Sequence, residues 1–347
     1  MGCVGLPNVG KSSLFNLMTE QSAAAENYPF CTIEPNEARC VVPDPRYDFL
    51  CKVWNPPSKY PAYLQVTDIA GLIKGASEGA GLGNAFLSHI QAVDGMYHVV
   101  RAFDNDEVLH VDDSVDPVRD LEQIVRKAGG KFKMLPLFDE TTAKIKELLE
   151  QDKPVRDGEW TTPEIELINE KLRLITTKPV IYLINLTMKD YLRQKCKYLP
   201  KIAEWVKAHG GQGSDIIPFS VEFKEKLWSL RDDKPALEAF MADIKVQSRL
   251  GKITTEGFTK LGLQYYFTAG EKEIRCWPIK RGALAPQAAG VIHGDFERGF
   301  IKAEVVAYQD FHDLCNGEKS MGPINLYVVQ DGDIVHFQFN VAPPKKK

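Results

Sequence analysis

The chain has 347 residues, of which 44% are hydrophobic and 26% are charged, with a formal net charge of −4. These values are typical of a globular protein with two or three domains, and they exclude a global electrostatic attraction to nucleic acid or membranes. The seven cysteines are scattered and never spaced C-x-x-C, which argues against a disulfide framework or a zinc site and predicts a cytoplasmic protein. No apolar run is long enough to span a bilayer, so we expect no membrane association.

The first predicted element is a phosphate-binding loop. Gly5-Leu6-Pro7-Asn8-Val9-Gly10-Lys11-Ser12 (the phosphate loop, residues 5–12) matches the pattern G-x-x-x-x-G-K-[ST]. Its glycines let backbone N–H groups surround an anion, Lys11 reaches the β- and γ-phosphates, and Ser12 offers its hydroxyl to Mg²⁺. A short strand at residues 3–4 precedes the loop. A helix with its apolar stripe at Leu14, Phe15, Leu17 and Met18 follows, and its dipole adds to the anion site.

The next segments alternate between predicted strands and helices. Residues 21–36 lack periodicity and are expected to form a long loop. A Gly-rich stretch lies at 75–83, and a helix is predicted over 86–93. Strands are expected at residues 40–42, 64–69 and 97–100.

A helical block is predicted between two of the strands, over residues 117–176. Asp116 is a suitable N-cap, and Pro117 occupies the first helical position. Further helices are expected near residues 141–151 and from residue 162.

Two further strands complete the predicted first sheet. Residues 179–184 are nearly all apolar, as a buried parallel strand should be, and residues 216–220 form the last strand. Strands that alternate with helices predict a doubly wound, parallel α/β sheet of the P-loop NTPase type. After residue 261 the pattern changes to turns and short strands, which are predicted at 263–268, 273–279, 300–308 and 334–340.

The expected domains follow from these patterns. A nucleotide-binding domain of the G type comprises residues 1–116 and 177–261, a helical insertion comprises 117–176, and a small α+β domain comprises 262–347.

A second nucleotide motif agrees with the phosphate loop. Asp68-Ile69-Ala70-Gly71 begins at the end of a predicted strand and matches D-x-x-G. Asp68 is expected in the Mg²⁺ shell, and the N–H of Gly71 is expected to bond the γ-phosphate. Thr32, in the first loop, can reach the same Mg²⁺ when nucleotide is bound, and loops tied to the γ-phosphate in this way relax after hydrolysis.

The base should be recognised after the apolar strand at 179–184, where GTPases place Asn-Lys-x-Asp. This chain has Asn185-Leu186-Thr187-Met188, so a methionine stands at the carboxylate position. Guanine would lose the acceptor of its N1–H and N2–H₂ groups, whereas adenine has no donor at those places. The residues therefore favour ATP. An alternative is a GTPase with a remodelled loop that uses Asp190.

Hydrolysis requires a positioned water molecule. Ras-like proteins use a glutamine directly after D-x-x-G, and this chain has Leu72 there, which cannot orient water. The nearest titratable candidate is His98, at the start of the strand at 97–100. The alternative is a purely structural, packed histidine.

These motifs together resemble the Obg-like ATPase family of the YchF type, a subfamily of the Obg-related P-loop GTPases in the translation-factor class. The resemblance covers almost the whole chain. It rests on the phosphate loop, on Asp68-Ile69-Ala70-Gly71-Leu72-Ile73-Lys74-Gly75-Ala76, on His98-Val99-Val100-Arg101, on Asn27-Tyr28-Pro29-Phe30-Cys31-Thr32-Ile33-Glu34-Pro35-Asn36, and on Ala285-Pro286-Gln287-Ala288-Ala289-Gly290.

The resemblance implies a GTPase-like domain, a helical insertion, and a C-terminal β-grasp (TGS) domain at 262–347. It also implies ATP hydrolysis in preference to GTP and association with the ribosome, through its large subunit or ribosome-bound factors. Leu72 matches the hydrophobic residue that replaces the catalytic glutamine, and His98 matches a histidine proposed to assist catalysis. Asn8 stands where related GTPases help to bind a monovalent cation such as K⁺.

The resulting hypothesis is a monomeric, Mg²⁺-dependent ATPase that acts as a nucleotide switch, with RNA contacts through the insertion and the TGS domain. The expected catalytic residues are His98, Lys11 and Gly71, and the expected metal ligands are Ser12, Thr32 and Asp68. The expected nucleotide-binding residues are Asn8, Val9, Gly10, Lys11, Ser12, Ser13, Asn185, Leu186 and Met188. A second alternative is an RNA- or ribosome-binding adaptor whose nucleotide is structural.

Three departures from the family pattern bear on this hypothesis. Many relatives have glutamate where this chain has Met188. The helical insertion near 125–133 and the stretch 318–325 are also shorter than the resemblance predicts, which affects partner binding through the insertion.

Overall fold

A computed structural model describes residues 1–25, 37–69, 89–103, 115–120, 139–150, 155, 158–168, 177–242, 244, 246–314 and 327–340. Two compact units are distinguished, one of Met1–Cys40 and Gln65–Ile253 and the other of Val41–Leu64 and Thr254–Lys347. Each unit contains one sheet.

Strands and helices are numbered here in chain order. The strands are β1 (Gly2–Val4), β2 (Glu37–Val41), β3 (Ser58–Tyr60), β4 (Tyr63–Asp68), β5 (Met96–Arg101), β6 (Val180–Asn185), β7 (Ile216–Phe219), β8 (Leu263–Ala269), β9 (Glu273–Lys280), β10 (Phe300–Val306) and β11 (Ile334–Phe339). The helices are α1 (Lys11–Ala25), α2 (Pro45–Trp54), α3 (Asp139–Glu150), α4 (Thr162–Glu166), α5 (Met188–Arg193), α6 (Leu199–Ala208), α7 (Val221–Ser229), α8 (Lys234–Ala242), α9 (Leu250–Lys260), α10 (Ala285–Ile292), α11 (Gly294–Arg298) and α12 (Tyr308–Leu314). Residues 89–92 and 117–120 are also helical.

The first unit is built on a six-stranded sheet in the order β2-β4-β1-β5-β6-β7. β1 pairs in parallel with both β4 and β5, and β5-β6-β7 continue in parallel. This confirms the predicted parallel α/β sheet. The central strands are buried along their length, as their apolar sequences predict. The carboxyl ends of β1, β4, β6 and β7 lead into the segments that form the candidate site.

Helix α6 covers one face of this sheet. Its buried side chains are Ile202, Trp205 and Val206, and they pack with Tyr182 and Ile184 of β6. The spacing of these three residues places them on one face of the helix. Packing of α6 fixes the position of β6, the strand that leads into Asn185.

Part of the predicted loop at 21–36 is helical. Helix α1 continues to Ala25, so the prediction was wrong for residues 21–25. Alanine has the highest helix propensity of all residue types. The run Ala23-Ala24-Ala25 therefore prolongs the helix although it adds no apolar stripe. Residues 26–36, with Thr32, lie outside the described part of the chain.

The helical block begins as its capping pattern predicts. The Asp116 carboxylate accepts hydrogen bonds from the N–H groups of Val118 and Arg119, both at 3.2 Å. Farther along, a small cluster has its own apolar packing, formed by Ile145, Val155, Trp160 and Ile168. Residues 121–138, which include the short stretch near 125–133, are not among those described.

The second unit has a five-stranded sheet in the order β10-β11-β8-β9-β3. β8 and β9 form one antiparallel pair, β10 and β11 form another, and β11 pairs with β8 in parallel. Helix α10 packs on this sheet through Ala285, Ala288 and Ala289. Two antiparallel pairs joined by central parallel strands and covered by a helix form the predicted β-grasp arrangement. The stretch 318–325 lies outside the described residues.

Residues 41–64 differ from the expected domain boundaries. The sequence predicts them in the nucleotide-binding domain, yet they belong to the second unit, as do residues 254–261. The reason for the first difference is strand pairing, because β3 lies at the edge of the second sheet and pairs in parallel with β9. Helix α2 also belongs to this unit, and the sequence analysis did not predict it.

A polar cluster joins α2 to the second sheet. Asp44 caps α2 by accepting a hydrogen bond from Arg46 N, and its carboxylate also accepts hydrogen bonds from the Arg46 guanidinium and the Tyr265 hydroxyl. Arg46 bonds Asp331 as well, at 2.9 Å. These four residues, Asp44, Arg46, Tyr265 and Asp331, are the Asp44 cluster.

Candidate functional site

The phosphate loop connects β1 to α1, and both of its glycines are required by its geometry. Gly5 has φ = 155° and Gly10 has φ = 97°. A Cβ atom on Gly5 would lie 2.5 Å from the carbonyl oxygen of Val99, and one on Gly10 would lie 2.5 Å from Asn185 Nδ2. The loop can therefore pack closely against β5 and Asn185 only with glycine at both positions.

Lys11 is almost fully buried in the loop, with 7% exposure. Its Nζ donates a hydrogen bond to the carbonyl of Leu6 at 2.7 Å. Burial lowers the pKa of Lys11, while the nearby Asp68 carboxylate opposes that shift. The ammonium group thus has one neutral acceptor from the loop and lies where a phosphate oxygen could replace it.

Ser12 and Asp68 come together across the sheet edge. The Ser12 hydroxyl donates a hydrogen bond to Asp68 Oδ2 at 2.6 Å. The other carboxylate oxygen, Oδ1, is buried and has no hydrogen-bond partner among the described residues. A hydroxyl next to a carboxylate with an unused oxygen fits a divalent cation that is held by few protein ligands and by phosphates. Thr32 and Gly71 lie outside the described residues, so their expected roles stay predictions.

Asn185 ties the phosphate loop to the loops after β6 and β7. Its Nδ2 donates to the carbonyl of Val9 at 3.1 Å, and its Oδ1 accepts from Val221 N at 3.2 Å. Leu186, the next residue, is buried in the core under α6. The structure thus brings together Val9, Gly10 and Asn185, three of the residues that are expected to bind nucleotide.

Met188 is the first residue of α5, after the N-cap Thr187. Its side chain is half-buried against the apolar core, and its backbone N–H donates to Glu222 Oε2 at 2.8 Å. Glu222 was missed by the sequence analysis. The sequence feature that could have revealed Glu222 is an acidic residue in the first turn of the helix that follows the last parallel strand.

Asp190 is less suited to reading a base. It lines a cavity of about 680 Å³ whose other walls include Phe103, Cys196 and Lys197. Neither the phosphate loop nor Asn185 contributes to this cavity. The position of Asp190 therefore argues against the alternative in which it replaces the guanine-binding carboxylate.

His98 lies on the central strand β5, opposite Val4 on β1 and Tyr182 on β6. The side chain is 4% exposed, and its ring centroid is 5.9 Å from that of Tyr182. Burial, reinforced by the positive charge of Lys11, lowers the pKa of His98 to about 3. The imidazole is therefore neutral near pH 7. It can hold a hydrogen-bond partner, but it does not carry a proton for transfer.

Asn8 and Ser13 complete the predicted set. Asn8 is exposed and has a left-handed backbone conformation, with φ = 61°. Ser13 is half-buried in the first turn of α1. Among the described residues, no group of three or more His, Cys, Asp or Glu side chains is arranged to hold a metal ion. Over the same part of the chain, no helix is long and apolar enough to cross a membrane.

Comparison with known proteins agrees with this geometry. A family model described as a 50S ribosome-binding GTPase matches residues 1–135. A second model, the C-terminal domain of YchF-type GTPases, described as a protein of unknown function, matches residues 263–340. The chain is 49% identical to Obg-like ATPase 1 of Oryza sativa subsp. japonica, covering 100% of this chain and 93% of the relative. It is 48% identical to Obg-like ATPase 1 of Homo sapiens, covering 100% and 94%.

A solved structure also matches almost completely. The YchF GTPase of Schizosaccharomyces pombe superimposes with a TM-score of 0.82 at 42% identity, covering 97% of each chain. The alignment with the rice relative spans 373 positions, 26 more than this chain has residues. Since this chain is covered completely, the extra positions are gaps inside this chain.

Proposed function

The chain belongs to the Obg-like ATPase family of P-loop nucleotide hydrolases, and from this premise we propose that it hydrolyses ATP in preference to GTP and acts as a nucleotide switch on the translation machinery. The observation that carries the base preference is Met188. An apolar, half-buried side chain occupies the position three residues after Asn185, where a guanine-reading carboxylate is needed. A buried hydrogen bond left unmade costs guanine about 1–3 kcal/mol, whereas adenine has no donor to satisfy there.

The phosphates are held by the loop. Backbone N–H groups of residues 8–12 surround them, and Lys11 exchanges its bond to the Leu6 carbonyl for a phosphate oxygen. The positively charged Nζ then stabilises the charge that develops on the transferred phosphoryl group. Burial of Lys11 strengthens this interaction, because the local dielectric constant is low.

The metal position is formed by Ser12 and Asp68. The Ser12 oxygen and the unpartnered Asp68 Oδ1 are the described groups that would hold Mg²⁺, with Thr32 as a further proposed ligand. When bound, Mg²⁺ neutralises charge shared by the β- and γ-phosphate oxygens. We also propose a K⁺ ion near the exposed Asn8.

His98 contributes by orienting water rather than by taking its proton. With a pKa of about 3, the neutral ring is a weak base that can still accept or donate one hydrogen bond. Leu72 cannot perform this task, and the Gly71 N–H is the proposed partner of the γ-phosphate. Release of that contact after hydrolysis provides the switch.

The proposed binding to the ribosome rests on the family and on the fold of the second unit. The description of one matching family model names ribosome binding, and the β-grasp unit supplies a separate folded surface. We propose that the monomeric protein works in the cytoplasm, bound to the large ribosomal subunit or its factors, with RNA contacts through the insertion and the β-grasp unit.

A parallel assay of phosphate release from ATP and GTP with Mg²⁺ tests the activity. We expect a clear preference for ATP in kcat/KM, and preference for GTP would refute the base argument. Co-sedimentation with ribosomes, in ATP and in ADP, tests the switch. Binding that is identical in both, together with negligible turnover, would favour an adaptor whose nucleotide is structural.

A further inference from the structure

The loops after β6 and β7 are linked twice. Asn185 makes the first link through Val221 N, at 3.2 Å. Glu222 makes the second, because its Oε2 accepts a hydrogen bond from Met188 N at 2.8 Å. Met188 occupies the position of the missing base-reading carboxylate. The side chain of Glu222 therefore brings a carboxylate to the same edge of the site, from a different loop.

Glu222 has this position because it lies at the start of helix α7. Ser220 caps that helix by accepting a hydrogen bond from Phe223 N, which makes Val221 and Glu222 its first two residues. A glutamate in the first turn is favoured by the helix dipole. Glu222 is exposed, as a residue at the rim of a nucleotide pocket would be.

A structural role accounts for only one of the two oxygens of the Glu222 carboxylate, Oε2. Met188 N is one of the unpaired donors in the first turn of α5, and Glu222 satisfies it. Thr187 provides the cap of the same helix by accepting from Asp190 N at 3.1 Å. Among the described residues, no group donates a hydrogen bond to the second oxygen, Oε1. One acceptor thus remains for a ligand.

A single free acceptor suits adenine better than guanine. At ring position 6, adenine carries an amino group that donates hydrogen bonds, whereas guanine carries an oxygen that accepts them. A carboxylate oxygen facing this position bonds the first and repels the second. Reading guanine through N1–H and N2–H₂ would need two acceptors, and the bond to Met188 already uses one.

We propose that Glu222 is the specificity-determining residue of the base site, and that Oε1 accepts a hydrogen bond from the 6-amino group of adenine. The proposal rests on the proposed ATP preference, and it assigns that preference to a particular side chain. It explains how a site without a carboxylate at Met188 favours adenine actively, rather than only failing to bind guanine.

Calorimetric titration of the full chain with three nucleotides tests this assignment. The ligands are ADP, GDP and purine riboside 5′-diphosphate, which lacks the 6-amino group. For Glu222→Ala we expect ADP affinity to fall by about 10-fold to 100-fold, as for a lost hydrogen bond to a charged group. Affinity for purine riboside diphosphate should change by no more than about twofold, because that ligand never makes the bond.

Two further variants sharpen the titration. In Glu222→Gln the one amide oxygen is used by Met188 N, so the amide N–H₂ faces ring position 6, and the variant should lose ADP affinity and gain GDP affinity. Glu225→Ala is the matched control, since Glu225 is an exposed glutamate on the same helix, and it should leave all three affinities unchanged. If Glu222→Ala does not fold, the unmodified chain still tests the bond. The comparison is then between its affinity for ADP and its affinity for purine riboside diphosphate, which should be lower.

The outcomes separate the two proposals. An ADP-to-GDP preference that survives Glu222→Ala would overturn the role of Glu222 and leave the ATP preference intact. Equal binding of ADP and purine riboside diphosphate by the unmodified chain would overturn the role in the same way. Tighter binding of GDP than of ADP by the unmodified chain would overturn both.

Discussion

The nucleotide site and the Asp44 cluster use the same kinds of groups in opposite ways. Each places carboxylate, cation and hydroxyl groups in a partly buried setting. In the Asp44 cluster, the arginine bonds two carboxylates, and Asp44 also accepts from Tyr265. In the nucleotide site, and among the described residues, Lys11 donates a hydrogen bond to one carbonyl and Asp68 Oδ1 has no hydrogen-bond partner.

The pKa values reflect this difference. Burial alone would raise the pKa of Asp44, but hydrogen bonds from Arg46 and Tyr265 outweigh it and lower that pKa. For Lys11 and His98, burial dominates, and it lowers both pKa values. A polar network that is complete stabilises the fold, whereas one with unused donors and acceptors is built for a ligand. Substitutions in the two regions should therefore have opposite consequences.

The largest expected effect comes from Lys11→Met. The change removes the charge that faces the phosphates, and hydrolysis should fall by about 10²- to 10³-fold, as for loss of one transition-state donor. The melting temperature should not fall, because methionine fills the same space without a desolvated charge. Phosphate release and thermal unfolding measure the two effects. Lys224→Met, at a lysine whose pKa burial also lowers, should keep its hydrolysis rate. A large loss of stability for Lys11→Met would contradict the comparison.

Arg46→Met should do the reverse. It leaves the Asp44 carboxylate, which is 6% exposed, without its cation, and removal of one partner from a buried pair costs about 3 kcal/mol. Hydrolysis should stay within about twofold, because no group of the nucleotide site changes. Urea unfolding gives the stability change. The control is Arg231→Met, since the exposed Arg231–Asp232 pair should contribute less than about 1 kcal/mol.

His98 should make the protein sensitive to acid without affecting the pH profile of catalysis. Its folded-state pKa is lowered to about 3, so the unfolded chain binds the proton first. Stability from this group is complete above about pH 6.5 and is lost as pH falls, by about 1.4 kcal/mol per unit, or about 2 kcal/mol at pH 5.

The variant His98→Gln tests this linkage. Its unfolding free energy should fall less steeply between pH 7.5 and 5 than that of the unmodified chain. A steep fall that is the same in both would show that His98 is not a buried neutral histidine. The kcat profile of the unmodified chain should show no protonation step that the variant abolishes.

Local patterns predicted most of the first sheet. The all-apolar run at β6 and the loop between β1 and α1 are each determined by residues next to each other in sequence, so spacing alone was sufficient. The end of α1 was predicted wrongly, because the alanine run prolongs the helix without periodicity. Helix α2 was missed although Asp44 and Pro45 form a standard start signal.

Non-local features could not be predicted in this way. The pairing of β3 with β9 joins residues more than two hundred positions apart, and no local pattern encodes it. The bond between Glu222 and Met188 likewise depends on how two adjacent loops pack. In the site itself, the phosphate loop, Asp68 and Asn185 were predicted from motifs. That the His98 ring is neutral follows only from its burial on β5.

The smallest expected effects come from removing one hydroxyl in each region. Tyr265 and Ser12 both donate to an aspartate, and Tyr265→Phe should lower the unfolding free energy by about 1–2 kcal/mol without changing hydrolysis. The Asp44 pKa should then rise toward its ordinary value, so Asp44 contributes less stability above about pH 4 and the unfolding free energy should fall less steeply below that pH. Ser12→Ala should change stability by less than about 0.5 kcal/mol, because Ser12 is exposed. It should instead raise the Mg²⁺ concentration for half-maximal hydrolysis by about tenfold.

Urea titration and a Mg²⁺ titration of phosphate release give both numbers for both variants. Two outcomes would contradict the comparison: loss of hydrolysis in Tyr265→Phe, or unfolding of Ser12→Ala. Either would show that the Asp44 cluster does not serve stability alone or that the nucleotide site does not serve ligand binding alone.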